Sequence, residues 1–378
     1  MVRRPALRGV GGGRGGRSVK LAVVDLGTNT CRLLLGEVEG GAVVRRDARE
    51  THVVRLGQGV DQSGRLDGEA AARTRRRLAD YAARIDAYAP ERRLLVATSV
   101  LRDAADGAAF LAAVEGDLGL PYRVIGGEEE ALLAFRGATA GLGRAVVERQ
   151  RGSSLSAGAR TEWHASQGPS TEGRGGPDGP LPTAGAVGAR DVVVVDIGGG
   201  STELILARNG LPLHTASIRV GVVHLSEKLL HSDPPSQPEL LSLDAKIHEH
   251  LDAALADDFS SSLPFPAPAS VRLIGTAGTI TTLAAIDLKM TRYEPDRVTN
   301  HVLSRAAIGA ILHRLAAMPR KQRTTIAGLE PGREDLIIPG AALLLHLMNR
   351  FGFEAITVSD AGLLEGILID ALARPRTA

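Results

Sequence analysis

The chain has a single cysteine, Cys31, among 378 residues. No intrachain disulfide can form, so packing alone must hold the fold, which suits a reducing compartment. No histidine lies near Cys31 in sequence, which argues for a small packed residue over a nucleophilic thiol. Aromatic residues make up only 3% of the chain. Val, Leu, Ile and Ala must therefore fill the cores, and the base-stacking platforms of nucleic-acid binders are missing. Net charge is only +2, so bulk charge does not point to nucleic acid either. No apolar run reaches the ~20 residues of a membrane span. Residues 1–18 are rich in Arg and Gly but lack the apolar middle of a signal peptide; they read as a disordered leader. What remains is a cytoplasmic chain, 44% hydrophobic and long enough for two domains.

The most informative stretch is VVVVDIGGGSTELIL, Val192 to Leu206. Four valines predict a strand buried on both faces. The strand ends in Asp196, followed by Gly198, Gly199, Gly200, Ser201, Thr202 and Glu203. Glycines let a turn bring its N–H groups against an anion, and the hydroxyls add donors. Asp196 and Glu203 are suited to a hard cation paired with a phosphate. A plain Gly-rich hairpin explains the glycines, but not the flanking carboxylates and hydroxyls. The same grammar occurs in KLAVVDLGTNTCRLLLGEV, Lys20 to Val38, with Asp25, Gly27, Thr28 and Thr30. Two such units imply a duplication, with two hairpins facing each other across a cleft.

The rest of the chain supplies other candidates. Residues 93–98 predict a parallel strand, whose end faces the ligand in open α/β sheets and carries Arg102 just beyond. Arg102 can fork onto phosphate oxygens, or simply pair with Asp103 or Asp106. Glu128, Glu129 and Glu130 open a helix, where acids suit the dipole; alternatively one of them points into the cleft as a general base. Arginines of the 67–88 helix read as a solvated face. LHTASIRVGVVHLSEKLL, Leu213 to Leu230, reads as strand-like, with Arg219, His224 and Lys228 near its turn. GTAGT, Gly275 to Thr279, is a third strand–glycine–helix joint, serving either close packing or an anion. Pro264, Pro266 and Pro268 mark a loop. Residues 143–190, rich in Ser, Gly, Pro and Thr, read as a disordered insertion. The resulting division is a leader (1–18), domain I (19–142), the insertion (143–190), domain II (191–358) and a C-terminal helix (359–378) packing back on domain I.

Taken in order, DLGTNTCRLLL, ATSVLRDAADGAAFL, VIGGEEEALLAFRG, VVDIGGGSTEL, IRVGVVHLSEK, GTAGTITTLAA, GLEPGREDLIIPGAALL and VSDAGLLEGIL resemble the exopolyphosphatase and guanosine pentaphosphate phosphohydrolase (Ppx/GppA) family. The resemblance covers nearly everything from Lys20 to Ala371 outside the insertion. It implies an α/β fold: duplicated actin-like domains of the ribonuclease H-like, sugar kinase and Hsp70 superfamily, flanking a central cleft. It implies hydrolysis of the terminal phosphoanhydride of polyphosphate, or of guanosine pentaphosphate to the tetraphosphate, by a homodimer that binds no nucleic acid and no membrane. It assigns Glu130 as the catalytic glutamate. Asp25, Thr28, Asn29, Thr30, Arg102, Gly198, Gly199, Gly200, Ser201 and Thr202 are then substrate contacts. Asp196, Glu203 and Glu130 become ligands of Mg²⁺ or Mn²⁺. Gly126 and Leu364 stand where the family often has Ser and Arg, which loosens a phosphate contact. The chain reads as the short form, without the C-terminal helical domain of longer members. The competing readings are a phosphotransferase, for which no acceptor pocket is identifiable, and a non-catalytic binding protein.

Overall fold

The computed structural model describes residues 17–153, 191–255 and 270–373, with side chains left out at 143–153 and 373. Nearly all of the leader, the insertion beyond residue 153 and the loop around Pro264–Pro268 lie outside the described residues. The insertion's first residues are helical, because the helix Gly127–Ser153 continues past the expected boundary at residue 143.

Two sheets carry the same topology. In the first, β1 (Val19–Leu26), β2 (Thr30–Glu39) and β3 (Ala42–Val53) form an antiparallel meander. Then β4 (Arg92–Ala97) lies parallel to β1, and β5 (Tyr122–Val124) parallel to β4, giving the order β3-β2-β1-β4-β5. In the second, β6 (Asp191–Ile197), β7 (Thr202–Arg208) and β8 (Leu211–Ile218) repeat the meander. There β9 (Val271–Thr276) pairs parallel to β6, and β11 (Ala355–Val358) parallel to β9. The short strand β10 (Val302–Ser304) adds an edge antiparallel to β11. The duplication is therefore a property of the whole fold, which is the duplicated actin-like architecture.

Period-two burial explains why both sheets are covered on both faces. In β1, Ala22, Val24 and Leu26 pack with the helix Gly68–Tyr88, while Leu21 and Val23 face the last helix, Leu363–Ala373. In β6, Val193, Val195 and Ile197 join the large core of the second lobe. Val192 and Val194 instead pack on Ala131, Phe135 and Ala138 of the helix Gly127–Ser153. The lobes thus exchange helices: the one that leaves the first sheet lies on the second, and the last helix lies on the first.

These two helices cross at backbone contact. A Cβ at Gly137 would meet the Gly362 carbonyl oxygen at 1.8 Å, and one at Gly366 would meet that of Leu133 at 1.9 Å. One expectation fails here. Leu213–Leu230 is not one strand-like piece: β8 ends at Ile218 and Val222–Leu229 is helix. Val222, Val223, Leu225 and Ser226 are buried at helical spacing. Gly221 forms the junction because its Cα lies against the backbone of Gly199 and Gly200.

Backbone cannot yield as a side chain can, so Gly137→Ala is expected to destabilise the protein by about 3 kcal/mol or more. Gly116→Ala adds a methyl in open space on the helix Gly107–Leu118 and is expected to be neutral or stabilising. Urea melts of the two variants check the contrast; equal midpoints would refute the crossing as a structural constraint.

Candidate active site

Each meander opens with the same tight turn. The Gly27 N–H donates to the Thr30 carbonyl at 3.0 Å, and the Gly198 N–H donates to that of Ser201 at 2.9 Å. The two turns abut. A Cβ on Gly199 would lie 3.1–3.2 Å from Thr28 and Asn29, and one on Gly200 would lie 2.6 Å from Ser99 Oγ and 2.7 Å from Thr28 Oγ1. Glycine is required at Gly200 because any side chain would push the turns apart.

Between the turns runs a crevice of about 60 Å³, lined by Asp25, Gly27, Thr28, Asn29, Thr30, Glu130, Asp196 and Gly198–Ser201. Most of the expected site residues therefore converge, Asp25 and Asp196 included. Glu130 enters on the first turn of its helix, 9% exposed, and its buried Oε2 has no hydrogen-bond partner. Asp25 Oδ1 and both side-chain atoms of Asn29 are likewise unpartnered.

Three expected contacts lie elsewhere. Thr202 is fully buried and donates its hydroxyl to the Val220 carbonyl at 2.7 Å, so it braces the turn and does not face the crevice. Glu203 stands across the strand pair from Asp196 and accepts from Ser217 Oγ at 3.0 Å, behind the lining. Arg102 donates to the Ile125 carbonyl at 2.6 Å and is not part of the lining either. Among the described residues no three His, Cys, Asp or Glu groups converge to hold a metal ion. Asp196, Glu203 and Glu130 therefore form no ready-made cage.

Other residues also line the crevice: the GTAGT joint supplies its expected anion-facing helix start, whereas Arg32, Ser99 and Arg333 were not anticipated as site residues. Arg32 faces Asp25 in the hairpin register and donates from Nε to Asp25 Oδ2 at 2.6 Å. That register follows from the tight turn, so the sequence carried the signal. Ser99 bonds Thr28 through their hydroxyls at 3.0 Å. Ala277, Gly278 and Thr279 bring the start of the helix Ala277–Asp287 to the crevice, with its partial positive charge. Arg333 reaches in over Gly278, where a Cβ would lie 2.1 Å from its guanidinium, and its Nε donates to Glu330. A wider cavity of about 420 Å³ adjoins the crevice. It shares Arg32, Gly278 and Arg333 with it and also contains Tyr293, Asp360 and Glu365.

The electrostatics follow from burial. Burial, with neighbouring Asp25 and against Arg32, pushes Asp196 up to about 6. Burial and Asp196 push Glu203 up to about 8. Burial, then the charges of Glu203, Asp196 and Asp25, raise Glu130 well above the ordinary carboxylate range. Burial also pushes the Cys31 thiol up, which leaves it an inert core residue. The crevice thus gathers carboxylates in excess of cations, beside donors suited to phosphate. No described helix is long and apolar enough to cross a membrane.

The Ppx/GppA phosphatase family matches residues 39–155 and 183–375. Exopolyphosphatase 2 of Mycobacterium tuberculosis is 36% identical over 363 residues, covering 93% of this chain and 98% of its own length. The crystal structure of an exopolyphosphatase-like protein superposes with a TM-score of 0.74 at 29% identity, covering 94% of this chain and 98% of that one. The Aquifex aeolicus Ppx/GppA member superposes with a TM-score of 0.67 at 25% identity, covering 96% and 100%. Matched by the family in both halves and end to end by a relative of nearly equal length, the chain belongs to the Ppx/GppA phosphatases.

Proposed function

We propose that the protein hydrolyses the terminal phosphoanhydride of linear inorganic polyphosphate and releases orthophosphate. The observation that carries this reading is the unpartnered, buried Glu130 carboxylate oxygen in a crevice whose opposite walls are phosphate-sized turns. The Mycobacterium tuberculosis relative, itself named an exopolyphosphatase, supports it. The terminal phosphate sits between Thr28–Thr30 and Gly198–Ser201, whose amides and hydroxyls take its oxygens. Arg32, Arg333 and the helix start at Ala277 offset further negative charge. Glu130, once ionised, accepts a proton from the attacking water.

A hard divalent ion, Mg²⁺ or Mn²⁺, fits the unpartnered oxygens of Asp25, Asn29 and Glu130 and the surplus of carboxylates. Because no three such groups converge among the described residues, Asp196 and Glu130 would hold it with few protein ligands, the habit of magnesium at phosphate sites. Glu203 would act on it only through Asp196. When bound, such an ion neutralises the transferred phosphate and favours attack on it. The buried thiol of Cys31 suits a cytoplasmic place of work, and a homodimer belongs to the same reading.

A second substrate, guanosine pentaphosphate, is favoured by one feature. The adjoining cavity of about 420 Å³ has room for a nucleoside, and Tyr293, Asp360 and Glu365 line it with polar groups. Phosphate release from long polyphosphate, guanosine pentaphosphate and ATP, measured side by side, separates these activities.

Glu130→Gln is expected to lower kcat by a factor of roughly 10² or more with KM little changed. Near wild-type turnover by this variant would remove the proposed base.

The raised carboxylates also predict a stability profile. Asp196 and Glu203 ionise near 3.8 and 4.5 when unfolded, but near 6 and 8 when folded. Across that window the native state binds more protons, so stability falls as pH rises. Without divalent ion, Tm is expected to fall between about pH 5 and pH 8. Glu203→Gln, which keeps an oxygen for Ser217, is expected to flatten the fall, and Mg²⁺ is expected to raise Tm most at the higher pH. A profile that is the same for wild type and variant would contradict the buried-charge account.

A further inference from the structure

On the second lobe, separate from the crevice lining, lies a pocket of about 190 Å³ that the mechanism leaves unused. Arg219, His224, Lys228, Lys246 and His250 ring it over apolar residues such as Leu225, and the whole lining belongs to the second lobe. Three of its basic side chains face acids of the first lobe. Lys228 Nζ lies 2.6 Å and His224 Nε2 3.3 Å from the Asp61 carboxylate, and Arg219 donates to Asp103 at 3.0 Å. Lys246 pairs with Glu249 of its own helix at 2.8 Å. These pairs are solvated: the Arg219 side chain is 78% exposed and that of Lys228 55%. Pairs of this kind contribute about 1 kcal/mol or less, so their cations exchange partners readily.

The pocket is placed to continue the crevice. Arg219 and the helix Val222–Leu229 follow directly from the strand beside the glycine turn, and the first N–H groups of that helix donate to the Gly198 and Gly199 carbonyls. Asp103, which Arg219 holds, is the neighbour of Arg102 on the opposite lobe. A polyanion leaving the crevice along the helix Val222–Leu229 would pass His224 and Lys228, which that helix carries into the pocket. His224 and His250 are held below the usual imidazole range, by burial first and by Lys228 and Lys246 as well. A phosphate beside them would relieve that opposition.

We propose that this pocket is a second phosphate site, which holds distal phosphates of a long polyphosphate chain after displacing Asp61 and Asp103 from its cations. The proposal rests on the polyphosphatase reading above and adds a chain-length preference to it. A short substrate fills the crevice alone. A long one also engages the pocket, and because Asp61 and Asp103 come from the other lobe, opening the cleft exposes the cations to it. The contribution is electrostatic and therefore salt-dependent.

The test is steady-state kinetics on tripolyphosphate and on long-chain polyphosphate with Lys228→Gln/Lys246→Gln. The expected result is a KM for the long chain raised roughly tenfold, with kcat on both substrates and KM for tripolyphosphate nearly unchanged. Lys228→Arg/Lys246→Arg should retain the long-chain KM, and Asp61→Asn should lower it. Long-chain and tripolyphosphate KM values that rise together, or a long-chain KM that does not move, would overturn the proposal. Direct binding of long polyphosphate to Glu130→Gln protein reads the pocket without turnover. If wild-type protein released no phosphate from either substrate, the catalytic reading would fail, and this binding comparison, with and without the two lysine substitutions, would still decide the pocket.

Discussion

The cleft exists because backbone meets backbone where no side chain stands. Gly137, Gly362 and Gly366 let the two exchanged helices cross in contact, and Gly199 and Gly200 let one turn lie against the other. Each approach fixes the other. With the helix crossing set, the two sheets face each other at one spacing, and that spacing decides whether Glu130, carried by one crossing helix, arrives between the turns. A single methyl at the crossing would displace both lobes' catalytic edges, since packed cores transmit strain and do not absorb it. Positioning supplies most of the catalysis in phosphoryl transfer, so chemistry at the crevice depends on contacts far from it.

The duplication is geometrically faithful and electrostatically broken. Asp25 and Asp196 occupy the same place at the ends of β1 and β6, but the residue opposite differs: Arg32 faces Asp25, whereas Glu203 faces Asp196. One hairpin is neutralised internally and the other is doubly acidic. A third acid, Glu130, is delivered beside the acidic one; burial first, and neighbouring carboxylates after it, raise Glu130, Asp196 and Glu203, while Arg32 works against the rise at Asp196. This asymmetry gives the crevice a direction. Carboxylates are in surplus on the side of Asp196, whereas the Asp25 side carries the hydroxyls of Thr28 and Ser99 and the Arg32 guanidinium.

Much of this was legible in the sequence because it rests on local rules. Four valines before Asp196 imply a doubly covered strand, and the repeated Asp–Gly–hydroxyl turn implies two facing hairpins; the matched strand orders bear out the fold. Local rules failed where a residue's partner is distant. Nothing near Thr202 reveals that its hydroxyl is spent on Val220, nor near Arg102 that its guanidinium turns to Ile125. Arg333 reaches the crevice only because the helix Ala277–Asp287 offers Gly278 for it to lie on, a contact between segments more than fifty residues apart. The helix at Val222 was hidden for another reason. VVHLSEKL is short, and its β-branched start reads as strand until Gly221 is seen packed on the glycine turn.

The interactions that hold the lobes together at the rim differ in kind from those at the helix crossing. Arg55, with a left-handed backbone at φ 49°, forks onto Asp335 at 2.7 and 2.9 Å and donates to the Gly332 carbonyl. The Asp61 and Asp103 pairs lie on the same rim. All are partly solvated ion pairs, which break at little cost and reform with other charges. The crossing is glycine-lined, with backbone against backbone and no room for a Cβ at Gly137 or Gly366, so it moves as a unit. Opening is therefore cheap at the rim and constrained at the crossing, which is the mechanical signature of a hinge. A polyanionic substrate competes directly for the rim cations, so the charge that must enter the cleft is the same charge that loosens it.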